Sequence, residues 1–306
     1  MRTVLFTHPD CLSHRPPAGH PERPERLSAV LDALEALDGL ERREAPLAED
    51  ADITTLHPQR LIDVLEEATP RDGEGPAPLD PDTWLSEGTL AAARRAAGAV
   101  LAAVDGTMTG DFEAAFCAVR PPGHHAEPAR PMGFCLFNSA VLGALRARDV
   151  HGAQRVALID FDVHHGNGSE AAFRGQSGLF YASIHQSPLY PGTGDPADHG
   201  EAGEIANITF GPGEDAAAWR AAVERGLFPA LEDFAPDMMI LSAGFDAHRD
   251  DPLASGSLTE DDYAWITAEL ARRAQPRRLV STLEGGYDLN ALGRSAAAHV
   301  KALLDA

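Results

Sequence analysis

Lysine is nearly missing from this sequence of 306 residues, and acidic residues outnumber basic ones almost two to one. The one lysine, Lys301, lies in a predicted amphipathic helix, which argues against Schiff-base chemistry on a lysine. The formal net charge is −22, which argues against binding nucleic acid through a basic face. An acidic protein would attract a cationic substrate such as a polyamine or a basic peptide, although a solvated acidic surface explains the charge more simply.

Cysteines and long apolar segments are also scarce. Cys11, Cys117 and Cys135 make no disulfide framework, and we therefore expect a cytoplasmic location. No segment approaches the ~18 consecutive apolar residues of a membrane span, and residues 3–6 predict a first strand rather than part of a signal peptide. We expect neither a membrane nor a nucleic acid as a partner.

Three familiar catalytic motifs are absent from the sequence. It has no Gly-x-Ser-x-Gly nucleophile elbow, no phosphate-binding loop ending in Gly-Lys-Ser/Thr and no complete Gly-x-Gly-x-x-Gly fingerprint. These absences disfavour the serine hydrolases, the nucleotide hydrolases and the dinucleotide enzymes that depend on those motifs.

Apolar segments of strand and helix period alternate along the chain, which is 44% apolar. They predict an α/β fold in one domain, residues 1–306, with a mostly parallel sheet covered by helices on both faces. Residues 69–82 predict a loop, and Ser86 is the predicted N-cap of a long helix. The predicted strands are 3–6, 114–119, 155–159, 179–184, 205–210, 238–242 and 279–283, and the predicted helices begin at residues 24, 57, 86, 138, 215, 259 and 290.

Four of the predicted strands end in clusters of polar residues with glycines beside them. Ligands of parallel α/β folds bind beyond the carboxyl ends of the strands, so four such clusters would meet at one place. The clusters are Arg120-Pro-Pro-Gly-His-His125, Asp160-Phe-Asp-Val-His-His-Gly-Asn-Gly168, Ala243-Gly-Phe-Asp-Ala-His248 and Glu284-Gly-Gly-Tyr287.

The second cluster predicts a metal site. Asp160, Asp162 and His164 stand at alternate positions, which point to one face of an extended chain. Carboxylate oxygen and imidazole nitrogen suit a zinc-like cation. With Asp246 as the third ligand, Asp162 and His164 would form a site with an open position, the pattern of a catalytic zinc. A polar strand end, or a ligand pair of Asp246 and His248, remains as an alternative.

The other clusters offer acid–base groups. Two adjacent histidines, His124 and His125, could transfer protons, with Asp160 orienting one imidazole and Asn167 the other. Tyr287 could donate its hydroxyl to an oxyanion. Cys135 could act as a nucleophile beside a histidine, although a small buried thiol is the simpler interpretation.

Together these clusters resemble the zinc-dependent histone deacetylase and acetylpolyamine amidohydrolase family, whose fold is arginase-like. The order and spacing of the motifs hold along nearly the whole chain, and Asn167 and Glu284 are similar to the class II and bacterial branch. The four clusters are joined by His20-Pro-Glu-Arg-Pro-Glu-Arg26, Gly133-Phe-Cys-Leu-Phe-Asn138, Tyr190-Pro-Gly-Thr-Gly-Asp195 and Ser242-Ala-Gly-Phe-Asp246.

The resemblance implies a role for each matching residue. Asp162, His164 and Asp246 would bind zinc (Zn2+), which polarises an acetamide carbonyl and activates a water. His125 would move the protons, His124 with Asp160 would give electrostatic support, and Tyr287 would hold the oxyanion. The residues implied around an acyl-lysine tunnel are Gly133, Phe134, Tyr190, Leu253 and Asp82, and those implied near a structural potassium ion (K+) are Asp160, Asp162, His164, Ser183 and Ile184.

The expected activity is zinc-dependent deacetylation of acetyl-lysine side chains in a protein or peptide, with release of acetate. The alternative substrate is an acetylated polyamine or another small acetylated amine. Leu253 at the rim favours the lysine substrate, whereas Asp80 and Asp82 leave the polyamine open. A hydrolase of another acyl group or an ester, or an inactive binding protein, ranks below these. The resemblance also allows a homo-oligomer that pairs through loops such as 69–82.

Overall fold

Eight parallel strands form the main sheet of the computed structural model, which describes residues 1–306. The strands of the protein are β1 (Thr3–Thr7), β2 (Glu41–Glu44), β3 (Ala77–Pro78), β4 (Trp84–Leu85), β5 (Ala114–Cys117), β6 (Val156–Asp160), β7 (Leu179–Gln186), β8 (Ile205–Phe210), β9 (Met238–Ala243) and β10 (Leu279–Leu283). The main sheet has the order β2-β1-β5-β10-β9-β6-β7-β8, and β3 pairs with β4 in a separate antiparallel ribbon. The predicted parallel α/β sheet is confirmed.

Besides a short 3-10 helix at Pro9–Leu12, the chain has nine α-helices. They are α1 (Glu25–Leu34), α2 (Asp50–Ile53), α3 (Gln59–Ala68), α4 (Thr89–Thr109), α5 (Ser139–Asp149), α6 (Asn167–Phe173), α7 (Ala216–Phe234), α8 (Glu260–Arg273) and α9 (Leu289–Asp305). Helices α1, α8 and α9 pack together, and α4 packs against α5. Central strands such as β6 are buried along their whole length, as expected for a parallel sheet that is covered on both faces.

The structure corrects the beginning of the long helix. Ser86 is not its N-cap, because α4 begins at Thr89 after Gly88. The backbone N–H of Ser86 donates to Thr89 Oγ1 at 2.7 Å, so the serine joins the turn that precedes the helix. Residues 69–82 contain no helix, as predicted, but Ala77–Pro78 pairs with Trp84–Leu85.

Strand β2 and helices α2 and α6 were also not predicted, because they lack a clear apolar period. Strand β2 has the sequence Glu-Arg-Arg-Glu and pairs with β1 at the edge of the sheet. Helix α2 has four residues, and α6 has seven and begins at Asn167. Short helices depend on tertiary packing rather than on their own propensity, so a single sequence indicates them poorly.

The four strands that end in polar clusters are neighbours at the centre of the sheet, in the order β5-β10-β9-β6. Since all four are parallel, their carboxyl ends lie along one edge. The four clusters therefore follow neighbouring strand ends, as we expected. None of the helices is long and apolar enough to cross a membrane.

Candidate active site

Asp162, His164 and Asp246 meet beyond the ends of β6 and β9. One potential ligand atom from each lies within 4.8 Å of the others, and all three residues are buried. His164 Nδ1 is 3.0 Å from Asp162 Oδ1 and 3.2 Å from Asp246 Oδ2. We refer to these three residues as the metal-ligand group.

Backbone N–H groups fix both carboxylates of the metal-ligand group. The N–H of His164 donates to Asp162 Oδ1 at 2.9 Å, and that of Gly285 donates to Asp162 Oδ2 at 2.8 Å. The N–H of Val163 donates to Asp246 Oδ1 at 2.8 Å. Strand β6 ends at Asp160, so the ligands converge through a bent segment, not through the extended chain that we expected.

The metal-ligand group fits a zinc ion. Carboxylate oxygen and imidazole nitrogen both bind zinc, and three protein ligands with an open position are the pattern of a catalytic zinc. Although burial disfavours a charged imidazole, hydrogen bonds to Asp162 and Asp246 raise the pKa of His164 to about 10, so the two carboxylates attract positive charge to this point. A Cβ at Gly285 would collide with both carboxylates, so the glycine leaves them room.

The two adjacent histidines have different partners. His124 Nδ1 donates to Asp160 Oδ2 at 3.0 Å, and Tyr181 donates to the same oxygen at 3.1 Å. His125 Nδ1 lies 2.9 Å from Asn167 Oδ1. One imidazole is therefore paired with a buried carboxylate and the other with a neutral amide.

The surroundings shift the pKa values of the two imidazoles in opposite directions. Burial alone would lower the pKa of His124, but the charges of Asp160 and Asp162 raise this pKa well above its ordinary value. Burial and the neighbouring His124 and His164 lower the pKa of His125 well below its ordinary value. His124 is thus suited to stay charged, and His125 to stay neutral with one ring nitrogen unprotonated.

A cavity of about 200 Å³ opens onto His125 and His164. Tyr190 and Leu253 expose 40% and 36% of their surface to solvent. Tyr287 is buried, and its ring centroid lies 6.0 Å from that of Phe134. The five residues that we expected around an acyl-lysine tunnel all line this cavity. The complete lining is Asp82, His125, Gly133, Phe134, His164, Leu189, Tyr190, Leu253 and Tyr287.

The turn at Gly133 and Phe134 needs a glycine. Both residues have positive φ, at 57° and 67°, and a Cβ on Gly133 would lie 2.5 Å from the ring of His125. The N–H of Phe134 donates to the buried Thr83 Oγ1 at 3.1 Å. Thr83 also donates to Asp82 Oδ1 at 2.9 Å, so it connects two parts of the cavity wall.

Other predicted residues lie outside the cavity wall. Ser183 and Ile184 are buried on β7, with Ser183 beside Asp160 in the sheet register. His248 is buried and lies outside the metal-ligand group. Cys135 is buried, and burial raises the pKa of its thiol well above the ordinary value, which does not suit a nucleophile.

Comparison with known proteins identifies the family. The sequence profile of the histone deacetylase domain matches residues 20–303. The chain belongs to the histone deacetylase family. It is 36% identical over 313 residues to the histone deacetylase-like amidohydrolase of Pseudomonas aeruginosa, covering 94% of this chain and 82% of the relative. A probable deacetylase of Methanothermobacter thermautotrophicus is 38% identical over 294 residues, which cover 93% and 86%.

One solved structure has the same fold along nearly the whole chain. The crystal structure of the HDA15 HD domain matches with a TM-score of 0.93 at 32% identity, covering 99% of this chain and 88% of that chain. The predicted family and the arginase/deacetylase-like fold class are thus both confirmed.

The sequence reasoning missed the buried charges behind the metal-ligand group of this histone deacetylase family member. Glu22, Arg26 and Arg120 have no exposed surface and form one ion-paired network, which we name the Glu22 cluster. The guanidinium of Arg26 lies 4.8 Å from the centre of the Tyr287 ring. All three residues stand inside motifs quoted above, but charged residues are usually exposed, and nothing in the sequence indicates that these are buried.

Asp251 was also missed. It is buried, and it accepts the N–H of Tyr287 at 2.7 Å and that of Leu253 at 3.0 Å. One carboxylate therefore connects the turn that carries Tyr287 with the segment that carries Leu253. The sequence Asp-Pro at 251–252 is typical of a turn, and nothing in it indicates that Asp251 contacts the backbone of Tyr287.

Proposed function

We propose that this chain is a zinc-dependent amidohydrolase that removes the acetyl group from acetyl-lysine side chains of a peptide or protein and releases acetate. The observation that carries the proposal is that His164 of the metal-ligand group, His125 and Tyr287 all line one cavity of about 200 Å³. The membership of a deacetylase family supports the same reaction class.

Asp162, His164 and Asp246 would hold the zinc ion. When bound, zinc supplies Lewis acidity that polarises a carbonyl oxygen and makes a water acidic near neutral pH. We also propose a potassium ion near Asp160 and Ser183, since Asp160 at the end of β6 is paired in the sheet register with Ser183 inside β7. The other residues of this proposed potassium site are Asp162, His164 and Ile184, all of them buried.

The protein side chains would move the protons and hold the substrate oxygen. His125 would accept the proton of the attacking water at Nε2, because its Nδ1 is occupied by Asn167, and would then protonate the leaving amine. His124, charged beside Asp160, would stabilise the negative charge that develops. Tyr287 would donate its hydroxyl to the tetrahedral oxyanion.

The walls of the cavity support a long, narrow acyl-amine as the substrate. Phe134 and Tyr190 would flank the apolar stem of an acetyl-lysine, and Leu253 would contact the chain at the rim. The second candidate, an acetylated polyamine, is supported by Asp82 in the wall and by Asp80, which accepts the N–H of Asp82 at 3.0 Å. Both carboxylates would attract a cationic amine.

We propose that the protein acts in the cytoplasm. All three cysteines are free and buried, which agrees with a reducing compartment.

The first test is acetate release by the zinc-loaded protein from an acetyl-lysine peptide and from an acetylated polyamine, measured side by side. We expect the peptide to be preferred. Preference for the polyamine would show that Asp80 and Asp82 dominate substrate choice. Acetate release from neither substrate would contradict the proposed reaction.

Tyr287→Phe tests the role of the hydroxyl. We expect turnover to fall roughly 10²-fold or more, as for the loss of one oxyanion donor, while the zinc content stays at the wild-type level. Tyr263→Phe is a matched control, since Tyr263 is buried on α8 and does not line the cavity. Full activity of Tyr287→Phe would contradict the oxyanion role.

A further inference from the structure

The amide of Asn167 is held between His125 and a carboxylate that the proposed mechanism does not use. Asn167 is only 8% exposed and is the first residue of α6. Its Oδ1 lies 2.9 Å from His125 Nδ1, and its Nδ2 donates to Glu127 Oε1 at 2.9 Å. His125, Asn167 and Glu127 thus form one linear chain of hydrogen bonds.

Only one end of this chain has a fixed polarity. An amide can present either its oxygen or its NH2 group to an imidazole, and a neutral imidazole can adapt by changing tautomer. An ionised carboxylate can only accept. Glu127 therefore requires the NH2 group of Asn167 on its own side, which turns the oxygen of Asn167 toward His125.

The orientation of Asn167 decides which nitrogen of His125 carries the proton. Facing an acceptor oxygen, Nδ1 must be the donor, so the Nε2 lone pair is free. The reversed amide would place its NH2 group against Nδ1 and would leave the hydrogen on Nε2. In that tautomer His125 could not accept a proton at Nε2.

Two weaker contacts favour the same orientation. Asn167 Nδ2 lies 3.3 Å from the sulfur of Met132 and 3.5 Å from the backbone oxygen of His125. Neither is charged, whereas hydrogen bonds to an ionised acceptor are roughly twice as strong as neutral ones. Glu127 itself is fixed by a backbone bridge to Arg130, whose N–H and C=O both pair with it.

We propose that Glu127 is a positioning residue that orients the amide of Asn167 and so sets the tautomer of His125. The inference rests on the proposed function, in which His125 is the base. It gives this half-buried acid a role in the reaction although it does not line the cavity.

The first test replaces the carboxylate by an amide. In Glu127→Gln, residue 127 can either donate or accept, so both orientations of Asn167 become available. We expect kcat to fall about tenfold, the low end for outer partners that orient a functional side chain, with KM little changed. Glu87→Gln is the control, because Glu87 is exposed and lies outside the cavity wall.

The second test exchanges the two groups. Asn167→Asp alone would place two carboxylates at the 2.9 Å contact and should lower kcat further. In the double variant Asn167→Asp with Glu127→Gln, the new acid accepts from His125 and the new amide donates to the acid. We expect kcat of the double variant to recover at least half of the decrease that Asn167→Asp causes. Such a departure from additivity is expected only for residues that interact.

A spectroscopic measurement separates this inference from the proposed function. Nitrogen-15 NMR of the histidine rings in zinc-loaded protein, with His125 assigned through His125→Gln, reports its tautomer without any turnover. We expect the Nδ1–H tautomer in the wild type and a mixture in Glu127→Gln. An unchanged tautomer in Glu127→Gln, or a double variant no more active than Asn167→Asp, would overturn the inference, whereas lack of acetate release by the wild type would overturn only the proposed function.

Discussion

Two groups of buried charges lie close together in this protein and are balanced in opposite ways. In the Glu22 cluster, one carboxylate accepts hydrogen bonds from Arg120 Nη2 at 2.6 Å and from Arg26 Nη1 at 3.1 Å. In the metal-ligand group, two carboxylates share a single imidazole, that of His164. The first group has an excess of positive charge and the second an excess of negative charge.

The difference lies in what satisfies the excess charge. In the Glu22 cluster, the remaining N–H groups donate to backbone carbonyls, as from Arg26 Nε to Gly286 O and from Arg120 Nη1 to Cys11 O. The cluster is therefore complete without any ligand. Besides His164, the cationic group nearest to Asp162 is His124, whose Nε2 lies 3.9 Å from Asp162 Oδ2. Because His124 is paired with Asp160 through Nδ1, three carboxylates face two imidazoles, and a metal ion would complete their charge balance. A buried acid surrounded by arginines indicates structure, whereas two acids around one imidazole indicate a metal site.

Removing a ligand from the metal-ligand group should have the largest effect. We expect His164→Ala to lose zinc on dialysis and to lose ~10³-fold or more in kcat/KM, because the metal supplies several kcal/mol of transition-state stabilisation. Zinc per chain by atomic absorption and acetate release check this. His199→Ala, at an exposed histidine, should keep both. A zinc content equal to wild type in His164→Ala would contradict the ligand assignment.

The Glu22 cluster should respond in stability instead. Glu22→Gln leaves two buried guanidinium groups without their carboxylate, and breaking a buried ion pair costs about 3–5 kcal/mol. Denaturant unfolding should show a loss of this size, while the folded variant still binds zinc. Glu25→Gln, at the exposed first residue of α1, should change little. A loss below about 1 kcal/mol would show that the cluster is not the structural unit we describe, since even one unsatisfied buried group costs more.

These two groups also show what the sequence could and could not predict. The metal-ligand group was predictable because its residues follow apolar strands, and parallel neighbouring strands bring their carboxyl ends together. The spacing of Asp162 and His164 then indicated the donor set. The Glu22 cluster was not predictable, since Glu22 and Arg120 are 98 residues apart and no local pattern pairs one charged residue with another.

The same limit applies to the elements around the site. Strands and long helices were predicted closely, because burial on one or both faces leaves a period in the sequence. Helix α6, which carries Asn167, was not, since it has seven residues and begins with Asn-Gly, a pair typical of turns. The contact of Asn167 with Glu127 therefore became visible only in the structure.

Glu204 is a buried acid whose charge is stabilised by backbone N–H groups, neither by arginines nor by a metal ion. Its replacement should change the free energy of unfolding less than the loss of Glu22 does. Burial alone would raise the pKa of Glu204. Hydrogen bonds from the N–H groups of Gly175, Glu201 and Ala202 instead lower this pKa to about 2. A lowered pKa stabilises the fold above the unfolded pKa, and this contribution declines as the pH falls toward the folded pKa. Glu204→Gln should therefore lower the free energy of unfolding by about 1–2 kcal/mol above pH 5.

The pH dependence distinguishes this effect from a packing defect. The difference between wild type and Glu204→Gln should shrink between pH 5 and pH 3, as the wild-type carboxylate begins to lose its advantage. Urea unfolding across this range measures it, with Glu214→Gln at an exposed acid as the control. A difference that stays constant over the range would mean that charge is not the cause.

The smallest expected effect has the opposite sign and tests the comparison most directly. In zinc-free protein, Asp246→Asn removes one of two buried like charges, and the new side chain can still accept the N–H of Val163 through its oxygen. We expect the free energy of unfolding to rise by about 1 kcal/mol, since like charges that share a buried site destabilise each other, whereas Glu22→Gln lowers it. Asp250→Asn, at an exposed acid of the same segment, should change little. If zinc-free Asp246→Asn were destabilised as strongly as Glu22→Gln, the charges of the two carboxylates would be balanced within the protein, and their excess charge would no longer indicate a metal ion.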